Sequence, residues 1–149
     1  MTHTHFMQWA FAEAQAAYAL GEVPIGCVVV HAGEVIGRAH NRRTLDGNVL
    51  HHAEILAIDQ ACRALGDWRL ENCTAYVTLE PCAMCAGAML QARLPVLVYG
   101  AASPKAGCAG SLCNLLDMPG ANHRAQIIPG VMEAACAALL QEFFTRFRT

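Results

Sequence analysis

The chain has 149 residues, of which 55% are hydrophobic and 15% are charged. This length fits one domain spanning residues 1–149 and excludes a second full domain, because single cores usually run from about 100 to 200 residues. The formal net charge of −2 gives no overall electrostatic sign of a nucleic-acid binder, so any such partner must be met by local basic residues.

The composition also bears on location and assembly. The longest apolar runs, such as Ala83 to Leu90, fall far short of the roughly 18 residues that a membrane span requires. A signal peptide is not expected, since no Lys or Arg precedes Arg38. We therefore expect a cytoplasmic protein whose eight cysteines are thiols or metal ligands rather than disulfides. The alanine-rich, charge-poor surface predicts a homodimer.

The first third of the chain predicts a helix followed by a hairpin. Apolar residues at helical spacing indicate a helix from Thr4 to Leu20, with Gly21 as its cap. Two short β-branched segments follow, Ile25 to Val30 and Val35 to Ala39. Because Ala32-Gly33 separates them, we expect two antiparallel strands.

The middle of the chain alternates helix and strand. The polar stretch from Asn41 to Asn48 predicts a loop. The apolar pattern from Ile55 to Leu65 predicts a helix that ends at Gly66. Thr74 to Leu79 predicts a buried strand. Pro81 then stands where a helix begins, and that helix runs to about Arg93.

The last third predicts two strands and a final helix. Val96 to Gly100 is an apolar strand, and the long connection from Ala101 to Arg124 is expected to hold a short helix from Leu112 to Leu116. A weak strand from Gln126 to Ile128 precedes a helix from Val131 to Phe147. The sum predicts an α/β fold, a three-layer α-β-α sandwich around one mixed five-stranded sheet, with its strand order left open.

Two short motifs about thirty residues apart carry the chemistry. His52-Ala53-Glu54 opens one predicted helix, and Pro81-Cys82-Ala83-Met84-Cys85 opens another. Cysteines three apart on a helix share a face, and the helix dipole favours the thiolate that zinc requires. With His52 they form a Cys2His donor set whose fourth position stays open for water, as in a catalytic zinc site.

Glu54 supplies the proton chemistry that such a site needs. Zinc lowers the pKa of its water to about 7, and a nearby carboxylate can take the released proton and deliver it to a leaving amine. Glu54 stands two residues after the histidine ligand. It is therefore the candidate general acid and base.

Two other interpretations of the same motifs stay open at this point. Cys82 and Cys85 form a C-x-x-C pair, which is also typical of redox proteins. A closed structural zinc site would need a fourth protein ligand, for which His51 is the candidate. Adjacent residues on one helix diverge by about 100°, however, so we expect His51 to pack or to lie on the surface.

These motifs, together with segments over nearly the whole chain, resemble the bacterial tRNA-specific adenosine deaminases of the zinc-dependent cytidine deaminase superfamily. The further matching segments are Glu22-Val23-Pro24-Ile25-Gly26, Asn41-Arg42, Tyr76-Val77-Thr78-Leu79-Glu80, Cys85-Ala86-Gly87-Ala88-Met89, Gly110-Ser111-Leu112, Asn122-His123-Arg124 and Phe143-Phe144.

The resemblance implies a cytidine deaminase-like fold and hydrolytic deamination of the wobble adenosine in a tRNA anticodon loop to inosine. It also implies a homodimer with one zinc ion per subunit. By matching position, His52, Cys82 and Cys85 bind zinc and Glu54 shuttles protons. Asn41 is the base-reading residue, and an Asx turn is the alternative role for this asparagine.

Local basic residues suffice for an anticodon loop, whose nucleotides are already unstacked. Each candidate could equally be a solvated surface charge. The candidates are Arg42, Arg43, Lys105, His123, Arg124, Arg146 and Arg148.

The chain departs from the resembled family at Ser103, where an acidic residue is common, and at the segment Gly47-Asn48-Val49-Leu50-His51. A guanine deaminase or a small cytosine-type deaminase would share the zinc motif, so that motif alone does not choose the substrate. An RNA-binding module with a structural zinc is a further alternative, in which Glu54 would be dispensable. The carboxy-terminal half favours the tRNA enzyme.

Overall fold

The computed structural model describes residues 2–147, which form one mixed sheet. Its strands are β1 (Gly26–His31), β2 (Glu34–His40), β3 (Cys73–Leu79), β4 (Val96–Ala101) and β5 (Gln126–Ile128). Their order is β2-β1-β3-β4-β5. β1 is antiparallel to β2 and β3, whereas β3, β4 and β5 are parallel. The predicted hairpin and mixed five-stranded sheet are confirmed.

Helices cover both faces of this sheet, which confirms the predicted three layers. The helices are α1 (His3–Ala19), α2 (Arg43–Asp46), α3 (Ala53–Leu65), α4 (Ala83–Gln91) and α5 (Glu133–Arg146). α1 and α5 pack on one face, while α3 and α4 pack on the other. Within residues 2–147, none of the helices combines the length and apolar character needed to cross a membrane.

Alternation along the strands divides the core between the two faces. Val28 and Val98 point toward α1 and bury its Met7. Val29 and Leu97 point the other way, into the larger cluster that contains the apolar faces of α3 and α4. A continuous apolar sheet with helices on both sides explains why the strands read as unbroken hydrophobic runs.

α1 lies unusually close to the sheet because both surfaces are small. Ala10, Ala14 and Ala17 are completely buried on the inner face of α1. Opposite them stands Gly26, where a Cβ would lie 2.6 Å from the backbone nitrogen of Ala14 and would also collide with the carbonyl oxygen of Ala10. The alanine-rich composition of α1 therefore serves close packing against the sheet.

The structure contains a one-turn helix where the sequence predicted only a loop. α2 occupies residues 43–46 and is held by the buried carboxylate of Glu22, which accepts a hydrogen bond from the backbone N–H of Leu45 at 2.6 Å. Arg42 and Asp46 form an ion pair across the turn at 3.1 Å. The contact with Glu22 comes from a distant part of the chain, so local sequence pattern did not reveal it.

The predicted helix from Leu112 to Leu116 is wrong. This segment forms turns around an isolated antiparallel bridge between Ala109 and Asn114. The N–H of Leu115 donates to the carbonyl of Cys108 at 3.0 Å, and the N–H of Leu116 donates to the Asn114 side chain at 3.1 Å. These bonds use the donors that a helix would have needed.

Two helix starts and one strand end come together on the α3–α4 side of the sheet. β3 leads through residues 80–82 into α4, and the parallel β4 follows it. α3 packs beside α4 on the same face. The fold thus places the motif that opens α3 next to the motif that opens α4.

We predict that Gly26→Ala lowers the free energy of unfolding by about 1–3 kcal/mol, because the added methyl group overpacks the interface between α1 and β1. Urea unfolding followed by circular dichroism measures the effect. Gly87→Ala in α4 is the matched control, since a Cβ there meets no atom within 4 Å. This control should be neutral or stabilising by up to about 1 kcal/mol. A Gly26→Ala midpoint equal to that of the wild type would contradict the packing argument.

Candidate active site

The structure brings together the three side chains that the motifs predict as metal ligands. His52 and Cys82 are the residues that precede α3 and α4, and both have extended backbone there. The Nδ1 atom of His52 lies 3.6 Å from the Sγ atom of Cys82 and 3.5 Å from that of Cys85. All three donor atoms lie within 4.8 Å of one another.

This spacing fits a tetrahedral zinc ion. With Zn–N near 2.0–2.1 Å and Zn–S near 2.3 Å, a nitrogen and a sulfur ligand stand roughly 3.6 Å apart. The separations from His52 to both sulfurs match that value. A histidine with two cysteines is also a donor set of the type that zinc prefers. The residues present therefore fit the group that the sequence implied.

The two thiols differ in acidity. Hydrogen bonding from Cys85 lowers the pKa of Cys82 to about 5, against the effect of burial, and the backbone N–H groups at the start of α4 act in the same direction. The same sulfur–sulfur hydrogen bond, followed by burial, raises the pKa of Cys85. The hydrogen bond between the two sulfurs thus favours a thiolate at Cys82 and a thiol at Cys85.

His51 does not join this cluster. Its Nδ1 atom lies 2.8 Å from a carboxylate oxygen of Asp46, and its Nε2 atom lies 3.2 Å from the amide nitrogen of Asn48. Among residues 2–147, one group of side chains is placed to bind a metal ion, and His51 is not part of it. The group consists of His52, Cys82 and Cys85. The closed structural site with His51 as fourth ligand therefore has no support in the geometry.

Glu54 is buried beside these donors without a hydrogen-bond partner for one of its oxygens. The residue is 3% exposed and lies in the first turn of α3. Among the described residues, nothing hydrogen-bonds its Oε1 atom. Burial raises the pKa of Glu54 to about 7. A carboxyl with such a pKa can both hold and release a proton near neutral pH.

A small pocket leads to Glu54. Its volume is about 90 Å³, several times the 10–15 Å³ or so that one water molecule needs. Apolar and polar side chains share its walls, as in sites for planar heterocyclic ligands. The lining residues are Val23, Ile25, Asn41, Arg43, His52, Ala53 and Glu54.

Asn41 forms an Asx turn and also lines this pocket. Its Oδ1 atom accepts a hydrogen bond from the backbone N–H of Arg43 at 3.1 Å, and its Nδ2 atom donates to the carbonyl of Val23 at 3.5 Å. The residue is 5% exposed. The turn and the pocket wall are therefore two roles of one side chain.

The candidate RNA-binding residues occupy different surroundings. Arg42 is paired with Asp46 at 3.1 Å, whereas Arg43 reaches the pocket. Lys105 is exposed in the connection between β4 and β5. Arg148 lies outside the described residues.

The remaining candidates all have internal contacts. The Nε2 atom of His123 lies 2.7 Å from the carbonyl oxygen of Leu94, which ties the connection before β5 to the segment before β4. Arg124 lies 3.5 Å from a carboxylate oxygen of Asp117. The guanidinium of Arg146 stacks 5.9 Å from the ring centre of Tyr18.

Sequence reasoning missed two buried carboxylates near the site, Glu22 and Glu80, each 2% exposed. Burial alone would raise the pKa of Glu80, but hydrogen bonds from Ser111, Ser103 and Ala109 outweigh it and lower the pKa. The position of Glu80 in the sequence was a usable signal. A charged residue between a buried strand and Pro81 is expected to be buried, and it then needs hydrogen-bond partners within the protein.

Comparison with known proteins agrees with this geometry. A family model described as MafB19-like deaminase matches residues 1–148. The tRNA-specific adenosine deaminase of Bacillus subtilis (strain 168) is 51% identical over 143 residues, which cover 96% of this chain and 89% of that protein.

Two solved structures share the fold. A tRNA A34 deaminase has a TM-score of 0.88 and 44% identity, and the match covers 93% of this chain and 100% of that chain. The guanine deaminase of Bacillus subtilis has a TM-score of 0.65 and 36% identity over 68% of this chain and 66% of that one. The resemblance that the sequence indicated is thus confirmed: this chain belongs to the MafB19-like deaminase family and, within it, to the tRNA-specific adenosine deaminases.

Proposed function

We propose that this protein deaminates the wobble adenosine of a tRNA anticodon to inosine by hydrolysis, with release of ammonia. One structural observation carries the proposal, namely that the buried Glu54 carboxyl, whose Oε1 atom has no hydrogen-bond partner among the described residues, lines a pocket together with the metal donor His52. The substrate follows from the relatives, whose names specify tRNA and adenosine.

His52, Cys82 and Cys85 are the residues that would hold one zinc ion per subunit. When bound, zinc supplies Lewis-acid chemistry, lowering the pKa of water from about 15.7 to about 7. The start of α4 favours the thiolate form of Cys82, which is the form that binds a metal ion. No further protein ligand is needed for a catalytic site of this type.

Glu54 moves the protons of the reaction. Its carboxylate accepts one proton from the attacking water and delivers it to N1 of the purine ring. It then carries the second proton of that water, now on the C6 hydroxyl, to the departing amino group, which leaves as ammonia. The net change is adenosine plus water to inosine plus ammonia. Because burial raises the pKa of Glu54 to about 7, the carboxyl can act in both directions during one turnover.

Asn41, Val23 and Ile25 are proposed to hold the base. The apolar side chains of Val23 and Ile25 line the pocket that Asn41 also borders. An amide can both donate to and accept from a purine edge. A base in an anticodon loop is already unstacked, so its insertion into this pocket costs less than opening a duplex.

Basic residues near the pocket are proposed to hold the RNA backbone. Arg43 lines the pocket, and the candidate contacts Arg42, Lys105, His123, Arg124 and Arg146 are proposed to act farther from it. With a net charge of −2 the whole molecule does not attract RNA, so these local contacts would have to supply the binding energy.

The relatives favour the tRNA substrate over free guanine. Both classes share the fold, but identity to the tRNA enzyme of Bacillus subtilis is 51% over 96% of the chain. Identity to the guanine deaminase is 36% over 68% of the chain.

We also propose a cytoplasmic homodimer. None of the eight cysteines, all of which lie within residues 2–147, forms a disulfide, and disulfides are rare in the reducing cytoplasm. A group of large apolar side chains is exposed and would be covered by a second subunit. They include Leu45, Val49, Leu50, Leu112 and Met118.

The direct test compares three substrates: an anticodon stem-loop with a wobble adenosine, free guanine and cytidine. Because the stem-loop can use the basic residues around the pocket and a free base or nucleoside cannot, we expect the stem-loop to release ammonia at least about 100-fold faster than the other two at equal concentration. Ammonia release is measured by a coupled assay. Faster turnover of guanine or cytidine would contradict the proposed substrate.

Glu54→Gln should reduce kcat by about 100-fold to 10,000-fold, since it removes the proton-transferring group but keeps the shape of the side chain. Zinc content, measured by atomic emission, should stay near that of the wild type. Asp59→Asn on the exposed side of α3 is the control and should keep full activity. Wild-type activity in Glu54→Gln would refute the proton-transfer role of Glu54.

Two substitutions of Asn41 separate its two roles. Asn41→Ala removes the turn and the pocket amide, whereas Asn41→Asp keeps an oxygen that can accept the Arg43 N–H but loses the amide donor. If the amide reads the base, both variants should lower kcat/KM by about 10-fold to 100-fold with zinc retained. Wild-type kinetics in Asn41→Asp would show that Asn41 serves the turn alone.

A further inference from the structure

The carboxylate of Glu80 is surrounded by donors from a single loop. Its Oε1 atom accepts hydrogen bonds from the backbone N–H of Ser103 at 3.1 Å and from the hydroxyl of Ser111. Its Oε2 atom accepts from the backbone N–H groups of Ala109 and Ser111, each at 3.0 Å. The segment from Ser103 to Ser111, here termed the anchored loop, therefore wraps around one buried negative charge.

The anchored loop approaches Glu80 too closely for a side chain at residue 107. A Cβ on Gly107 would lie 2.5 Å from both carboxylate oxygens of Glu80. The next residue, Cys108, donates its backbone N–H to the carbonyl of Pro81 at 2.8 Å. The loop is thus fastened to the two residues that directly precede the metal donor Cys82.

Between these attachment points the anchored loop carries Lys105, the only lysine of the chain. Lys105 is exposed, and its backbone position is fixed by the bonds that Ser103, Gly107 and Cys108 make on either side. A charged side chain on a surface loop binds a phosphate well only if the loop is already ordered, because binding otherwise has to pay for that ordering.

We propose that Glu80 is a positioning residue for RNA binding, which anchors the loop from Ser103 to Ser111 beside Cys82 and so sets where Lys105 meets the phosphate backbone of the substrate. This inference rests on the proposed function, since it assumes an RNA substrate. Glu80 is not among the residues that line the pocket beside Glu54. Its carboxylate is occupied by the loop.

The expected kinetic signature is a change in KM rather than in kcat. Glu54 lies on α3, and the metal donors lie at the starts of α3 and α4, so none of them belongs to the anchored loop. Loosening the loop should weaken binding of the RNA but leave the bound base in the same catalytic surroundings. A general structural defect would instead reduce zinc content or kcat.

The principal test is Glu80→Gln, assayed on the stem-loop with a wobble adenosine. The neutral amide places a donor group among the loop donors, so we expect KM to rise about tenfold while kcat stays within about twofold and zinc content is unchanged. Glu71→Gln, an exposed glutamate before β3, is the matched control and should leave both constants unchanged. An unchanged KM in Glu80→Gln, or a loss confined to kcat or to zinc, would overturn the inference.

A second readout needs no RNA. Because Lys105 is the only lysine, a lysine-specific protease cuts this chain at one bond, inside the anchored loop. We expect cleavage of Glu80→Gln to be about tenfold faster than cleavage of the wild type and of Glu71→Gln. Equal cleavage rates would show that Glu80 does not hold the loop.

Combining substitutions tests whether Glu80 acts through Lys105. Lys105→Ala should raise KM by itself, and adding it to Glu80→Gln should raise KM no further than the larger single effect. If the two substitutions together raise KM by the product of their single effects, Glu80 does not act through Lys105. If Glu80→Gln does not fold, Gly107→Ala displaces the loop without changing the charge and Ser111→Ala removes one donor, so both should raise KM and the cleavage rate.

Failure of the inference and failure of the proposed function are distinguishable. A wild-type protein that releases no ammonia from the stem-loop contradicts the proposed function. A wild-type protein with normal activity, accompanied by unchanged KM values in Glu80→Gln, Gly107→Ala and Ser111→Ala, contradicts only the role assigned to Glu80.

Discussion

A carboxyl group kept out of water beside a set of metal donors is the constraint on which this structure depends. An unpaired polar atom in the interior normally lowers stability, and folded proteins retain few of them. Glu54 is such a group, and the first turn of α3 fixes it next to His52. The same burial moves its pKa close to neutrality, so the feature that lowers stability is also the one on which the proposed proton transfer depends.

The sheet explains how distant motifs reach this point. The parallel connection from β3 through α4 to β4 delivers Cys82 and Cys85, while α3 packs beside α4 and delivers His52. The hairpin of β1 and β2 ends at His40, and the next residue, Asn41, lines the same pocket. One face of the sheet therefore brings together the candidate metal donors, the Glu54 carboxyl and Asn41 from three separate parts of the chain. The opposite face, covered by α1 and α5, serves packing.

The sequence predicted those parts of the site whose chemistry is local. Spacing alone brought Cys82 and Cys85 to one helix turn, and hydrophobic pattern predicted the five strands and the helices that flank them. The α2 turn, the irregular connection after β4 and the buried Glu22 and Glu80 were not predicted. Each of these depends on hydrogen bonds between residues far apart in the chain, such as Glu22 with Leu45 or Glu80 with Ala109. Periodicity within a short window contains no information on such pairs.

The central claim is that His52, Cys82 and Cys85 converge on one metal ion whose remaining position faces Glu54. Anomalous diffraction at the zinc edge from crystals of the purified protein measures this directly. The account predicts one zinc peak per subunit, about 2.3 Å from both sulfurs and about 2.0–2.1 Å from the histidine nitrogen, with the fourth position open to solvent on the Glu54 side. A fourth protein side chain bonded to the metal, or a zinc peak away from these three residues, would contradict it.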